Sequence, residues 1–408
     1  MPPAMTVEEE LLVRARAVLD AAPVIDGHND LLYQLRDRAN YDFDELDLAE
    51  HRPGLHTDID RIRAGRLGGQ FWSVYVPSDL PGNTAVAQTL EQIDALYEMV
   101  RRYPEVFELT RTADEVERAS GRGRVASMIG VEGGQSIGCS LGALRMLARL
   151  GAGYMTLTHN DNTPWADSAT DDPAHGGLTA FGEEVVREMN RLGILVDLAH
   201  VSPDTMRHAI EVSEAPTIFS HSNARALADY PRNVPDDVVE RARDSGGVIM
   251  VSFVPGFLTP EGAASFWAGL TELKRLRAAH PGDRAAVEAG FKAWEEANPG
   301  PPATLSHVAD HIDHLRDLAG VDHVGIGGDL DGTDRVAEGL DDVSRYPALF
   351  AELLSRGYTE DDLAKISRGN ILRVMRQAEA VAERLRAERG PSRARIADLD
   401  GDTAPAGA

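Results

Sequence analysis

PVIDGHND, residues 23–30, is a short apolar run that ends in polar groups, and the same design recurs seven more times along the chain. The later runs are QFWSVYVP (70–77), VASMIGVEGG (125–134), YMTLTHND (154–161), ILVDLAHVS (194–202), PTIFSHSN (216–223), GVIMVSFVP (247–255) and HVGIGGDLDG (323–332). They are continuous apolar stretches rather than polar/apolar alternations, the pattern of strands buried on both faces of a parallel sheet. Between them lie amphipathic stretches such as AVAQTLEQIDALYEMVRR (85–102), LGALRMLARLG (141–151), FGEEVVREMNRLG (181–193) and TLSHVADHIDHLRDLAG (304–320), several closed by a helix-stopping glycine. Eight strands alternating with helices predict an α/β protein of the (β/α)8 TIM-barrel kind. Two connections, 31–69 and 256–305, are long, and the second carries the pattern of inserted helices. Helices over 340–355 and 359–389 complete a single barrel domain, residues 1–389. The polar, Pro/Ala/Gly-rich stretch 390–408 reads as a flexible tail.

Composition narrows the function. The 408 residues carry a formal charge of −25, which argues against nucleic acid or an anionic membrane surface as partner. Cys139 is the only cysteine, so neither an intrachain disulfide nor a cysteine-based zinc site can form. No stretch reads as a signal peptide, a membrane span or a lipid-anchor signal, and the expected location is the cytoplasm.

Barrel enzymes place their chemistry at the C-terminal ends of the strands. There the first run ends in His28 and Asp30, the third in Glu132, the fourth in His159, the fifth in His200, the sixth in His221 and the eighth in Asp329. His28 and Asp30 are two apart, a spacing that in a strand turns both side chains to one side and lets them reach one metal ion. Imidazole and carboxylate donors suit Zn2+. A second ion would take His200 and His221, with Glu132 bridging the pair, and two such cations would lower the pKa of a water or hydroxide held between them. Taken singly, each of these residues has an ordinary structural reading as a cap, a salt bridge or a core histidine; their shared topological position favours a site. His307, His311 and His314 share a helix face but precede the last strand and read as packing residues. His51, His56, His175, His208 and His280 read as loop or surface positions.

The motifs VIDGHNDL, GGQFWSVYVP, GVEGG, YMTLTHNDNTPWADS, VDLAHVS, FSHSNAR, YPRNVPDD and DHVGIGGDLDG, in that order over residues 23–375, resemble the membrane (renal) dipeptidase family. The resemblance implies an amidohydrolase-type barrel with two zinc ions. The first is held by His28 and Asp30, the second by His200 and His221, and Glu132 bridges. It further implies that His159 binds and polarises the substrate, that Arg232 of the PRN motif grips the C-terminal carboxylate, and that Asp329 serves the amino end and proton transfer. The expected reaction is hydrolysis of L-Xaa-L-Xaa and L-Xaa-D-Xaa dipeptides. Homodimers are common in the family, although nothing in these residues requires one. The animal members' secretion signals, disulfides and lipid anchors have no counterpart in the residues read here, and Asp161 stands where those members often have cysteine. Two other readings stay open at this level: a related metal-dependent hydrolase of N-acyl amino acids or lactones, and a non-catalytic small-molecule-binding barrel.

Overall fold

The computed structural model describes residues 5–401. Its strands are β1 (Val24–Asn29), β2 (Leu67–Tyr75), β3 (Phe107–Leu109), β4 (Val125–Glu132), β5 (Ala152–Thr156), β6 (Leu195–Asp197), β7 (Ile218–Phe219), β8 (Val248–Val251) and β9 (Val324–Ile326). All pair in parallel. The order β2-β1-β9-β8-β7-β6-β5-β4 is closed by β2 against β4, from Gly69 opposite Ala126 to Tyr75 opposite Glu132. The closed ring is the eight-stranded barrel expected from the apolar runs. β3 is an addition that periodicity did not disclose. Its three residues pair with β4 from Val125 to Ser127, the part of that edge left free because β5 begins only opposite Ile129.

One apolar cluster contains Ile25, Phe71, Met128, Tyr154, Leu195, Ile218 and Met250, one residue from each of seven barrel strands, so it can only lie inside the ring. β9 supplies Gly325 there, where an added Cβ would sit 3.0 Å from the Met250 side chain. The same cluster takes in Ile371, Val374 and Met375 of the helix Asn370–Glu388, which closes the barrel away from the polar strand ends. Each such fully buried side chain contributes about 1.5–3 kcal/mol of transfer free energy. A larger cluster joins the outer strand faces to the surrounding helices.

Inserted helices form where the long second connection predicts them, at Pro260–Ala279 and Arg284–Ala297. The stretch expected as one helix over 359–389 is Glu360–Ala364, a π-turn at Lys365–Gly369, and Asn370–Glu388. The stretch 390–408, read as a flexible tail, is described as far as residue 401. Up to residue 401 it runs along the helix Ala180–Leu192: the Ser392 amide donates to Glu188 (3.3 Å), the Ser392 carbonyl accepts from Arg145 (2.9 Å), and Asp400 accepts from the Thr179 hydroxyl (2.6 Å). These anchors are polar and distant in sequence, so composition could not reveal them; residues 402–408 lie outside the described part. Among the described residues no helix is long and apolar enough to cross a membrane.

Candidate active site

The polar strand ends converge on Glu132, the last residue of β4. Its carboxylate oxygens face two ways. Oε2 lies 3.2 Å from His28 Nε2, which is itself 3.1 Å from Asp30 Oδ2. Oε1 lies 3.1 Å from His200 Nε2 and 3.8 Å from His221 Nε2, and those two nitrogens are 3.0 Å apart. His28 Nε2 is fully buried yet has no hydrogen-bond partner. A tetrahedral ion with bonds of 2.0–2.2 Å holds its ligands about 3.3 Å apart. The donor set, its spacing and the orphaned nitrogen therefore fit two divalent cations sharing Glu132. His159 Nε2 stands 3.6 Å from Glu132 Oε1 and its ring is 4.2 Å from that of His200, so His159 joins the same cluster. Asp329 groups with His28 and Asp30. Every site residue read from the strand ends is thus brought together.

Local backbone explains several placements. β1 ends at Asn29, so Asp30 is not the strand residue that the i, i+2 argument assumed; it is the N-cap of the helix Leu31–Ala39. An N-cap aspartate normally accepts from the first-turn amides. Here Asn29 Oδ1 takes the Leu31 amide (2.9 Å), and the Asp30 carboxylate makes no capping bond and turns to His28 instead (3.1 Å). His200 and Asp329 both adopt left-handed backbone, φ 67° and 60°. For a non-glycine residue this costs on the order of 1 kcal/mol, and such strain gathers at functional sites. A Cβ on Gly332 would lie 2.3 Å from Asp30 Oδ2 and 2.4 Å from Asp329 Oδ1, so glycine there leaves room for both carboxylates.

The residues that hold this cluster were not picked out in the sequence. Ser73 of β2 donates to Glu132 Oε2 (2.7 Å), and the Tyr154 hydroxyl lies 2.8 Å from His28 Nδ1. Asp26 accepts from the His28 amide (2.8 Å), the Gly328 amide (2.9 Å), Gln70 (3.1 Å) and the Tyr346 hydroxyl (2.8 Å), locking β1 to the loop that carries Asp329. Asp197 does the same between β6 and β7. The available signal was a polar residue inside an otherwise apolar run: Asp26 in PVIDGHND, Ser73 in QFWSVYVP and Asp197 in ILVDLAHVS. A buried polar group needs a partner, and partners on neighbouring strands were legible in kind though not in identity.

Burial pushes the Glu132 carboxyl up, but the charge of His28 and the close approach of the His200 and His28 nitrogens outweigh it and hold the group well below the usual carboxylate range. Burial lowers His159 to about 4, against the opposing pull of Glu132. Asp329 is raised, by burial first and then by Asp30 and Glu132, with His28 opposing. The cluster opens on a cavity of about 1030 Å³, lined also by Tyr33, Tyr75 and Arg232 and roofed by Phe266, Leu270 and Trp294 of the inserted helices. Arg277–Asp161 (2.8 Å) and Lys274–Asp172 (3.1 Å) tie that roof to the segment after β5.

Arg232 lies in the segment between β7 and the helix Asp236–Asp244, and is 3% exposed. Its Nη1 has no hydrogen-bond partner, and no carboxylate pairs with it among the described residues; its guanidinium sits 5.2 Å from the centre of the Phe257 ring. A buried, always-charged guanidinium without a partner is costly unless an anion arrives to pair with it.

The helix Leu305–Ala319 confirms the packing reading of its histidines. His307 accepts from the Thr304 amide and His314 meets Asp236 (2.9 Å). Buried His311 accepts from the Ala224 amide on Nδ1 (3.0 Å) and faces the Leu258 carbonyl with Nε2 (3.1 Å), pinning two rim segments. Burial lowers its pKa from 6.5 to about 4, opposed by the bond to Leu258 and aided by His314 and His307. Below pH 6.5 the unfolded chain takes up a proton that the folded chain refuses, so this contribution to stability is whole above pH 6.5 and is lost as pH falls toward 4. Between pH 7 and pH 5 the metal-free wild type should therefore lose about 2 kcal/mol more than His311→Ala in urea unfolding. Equal losses would contradict the assignment.

The membrane dipeptidase model, peptidase family M19, matches residues 12–389. Dipeptidase 3 of Mus musculus is 40% identical over 382 residues, 92% of this chain and 69% of that protein. The crystal structure of a probable dipeptidase from Pseudomonas aeruginosa is similar at TM-score 0.79 and 27% identity, covering 91% of this chain and 99% of that one. A metallopeptidase from Rhodobacter sphaeroides, solved with a phosphinate mimic of the dipeptide L-Ala-D-Ala, is similar at TM-score 0.73 and 26% identity, covering 87% and 99%. With the family model spanning residues 12–389 and a relative 40% identical over 92% of the chain, the chain belongs to the membrane dipeptidase family, peptidase family M19, a family of metallo-dipeptidases.

Proposed function

We propose that this chain hydrolyses the peptide bond of free L-Xaa-L-Xaa and L-Xaa-D-Xaa dipeptides with two zinc ions, one held by His28, Asp30 and Glu132, the other by Glu132, His200 and His221. When bound, such a pair supplies Lewis-acid activation of water and of the scissile carbonyl. The remaining work falls to side chains of the chain itself. Arg232 pairs with the C-terminal carboxylate and sets the register of the substrate. His159, beside Glu132 and His200, donates a hydrogen bond to the carbonyl oxygen as charge develops on it. Asp329 takes the proton of the attacking water and delivers it to the leaving nitrogen. The L-Ala-D-Ala mimic bound by the Rhodobacter sphaeroides relative supports a D-residue at the second position.

The observation that carries this reading is Arg232: a buried cation, unpaired among the described residues and on the same cavity as the histidine–carboxylate cluster, asks for a small anionic substrate. Hydrogen bonds to charged groups are worth about 1.5–3 kcal/mol. Arg232→Ala should therefore raise KM for a dipeptide with a free carboxylate by roughly 100-fold and leave hydrolysis of the C-terminal amide at its wild-type level. A variant that handles both as the wild type does would sink the dipeptide assignment.

A further inference from the structure

The half of the cluster that contains His221 rests on a buried chain of hydrogen bonds that runs away from the cavity. Asp197, the last residue of β6, is fully buried and accepts on both oxygens. Oδ1 takes the backbone amides of Ser220 (2.8 Å) and Ala199 (3.1 Å), and Oδ2 takes the hydroxyls of Thr156 (2.5 Å) and Ser220 (2.7 Å). The Ser220 oxygen is in turn 2.8 Å from His221 Nδ1, while His221 Nε2 faces Glu132 and His200. With its hydrogen committed to Asp197, Ser220 has only lone pairs left for the imidazole. His221 must then carry its proton on Nδ1 and present a bare Nε2 to the cluster.

We propose that Asp197 is a positioning residue that acts through Ser220 to hold His221 in the Nδ1–H tautomer, the form in which Nε2 can bind a metal. This deepens the reading of His221 as a ligand and rests on it. His200, the other histidine of that half, has no such partner: its Nδ1 is buried without a hydrogen bond. Tautomer control on this half therefore falls on the Asp197–Ser220–His221 chain.

Asparagine at 197 makes a sharp test because it reverses hydrogens while keeping shape. Only its carbonyl oxygen can go on accepting the Ala199 and Ser220 amides, so its amide nitrogen must take the place of Oδ2. That nitrogen donates to Ser220, whose own hydrogen then turns to His221 Nδ1 and drives the imidazole proton onto Nε2. Ser220→Ala merely removes the guide and leaves the tautomer free. Outer-shell partners of metal-binding histidines are generally worth about 10–100-fold in affinity.

The chelator-stripped full chain is titrated with zinc, and the metal-free unfolding temperature is measured alongside. The wild type should take up two zinc ions. Asp197→Asn should weaken one of the two by roughly 100-fold and Ser220→Ala the same one by roughly 10-fold, with the other ion held as before. The metal-free Asp197→Asn chain should unfold within a few degrees of the wild type. A loss in Asp197→Asn no larger than in Ser220→Ala would overturn the relay. Equal weakening of both ions together with a lowered unfolding temperature would do so too, since it marks a purely structural residue. A wild-type chain that takes up a single zinc would instead overturn the ligand reading of His221, and the relay with it.

Discussion

Glu132→Gln should yield a folded chain that retains fewer than two zinc ions and loses roughly 10³–10⁴-fold in kcat/KM, the loss of several kcal/mol of metal-assisted catalysis. The carboxylate touches both halves of the cluster, with Oε2 toward His28 and Oε1 toward His200 and His221. Glutamine fills the same volume, but one of its two ends becomes an NH2. A donor there either opposes the histidine nitrogens, which must offer lone pairs to a cation, or abandons the hydrogen bond from Ser73. Either orientation leaves one half of the site without an anionic ligand. Elemental analysis and steady-state kinetics on the same preparation, with circular dichroism to verify the fold, would decide it. Two tightly held ions and near-normal turnover would show that the halves do not depend on a shared carboxylate.

Asp329→Asn should have the next largest effect, a fall of roughly 10³-fold in kcat with KM changed little and two zinc ions still bound. The substitution suits the position. Asp329 sits at φ 60°, and asparagine is among the few residues that tolerate left-handed backbone, so the amide hydrogen bond from residue 329 to the His28 carbonyl (3.2 Å) persists. What asparagine cannot do is accept a proton and release it. Metal content separates two roles that geometry places close together, since Asp329 also groups with His28 and Asp30. A chain reduced to one zinc would make Asp329 a ligand; a silent substitution would remove it from the chemistry.

Much of the site was legible because a parallel barrel strand is a local signal. A continuous apolar run announces the strand, and the polar residues just beyond it must lie on one rim, whatever the neighbouring strands are. That logic located His28, Asp30, Glu132, His159, His200, His221 and Asp329. It also separated them from His311, whose helix packs outside the barrel. It failed in detail where the strand was shorter than its run: β1 stops at Asn29, and Asp30 reaches His28 from a helix cap. It was blind to β3, three residues without a period of their own, and to the docking of residues 390–401 through polar groups.

The sequence by itself determined the barrel, the rim and the kinds of donor collected there, because each of those follows from periodicity and from position along a strand. Only the tertiary structure decided which donors face which, because Glu132 meets Ser73 across 59 residues and His28 meets Tyr154 across 126. It alone showed that Arg232 is buried without a counter-ion among the described residues. It alone showed that Asp26 and Asp197 are the buried acceptors locking the two halves of the cluster. Those facts arise from closure of the ring, which brings distant strands side by side, and a hydrogen bond depends on distances of tenths of an ångström that no linear spacing encodes.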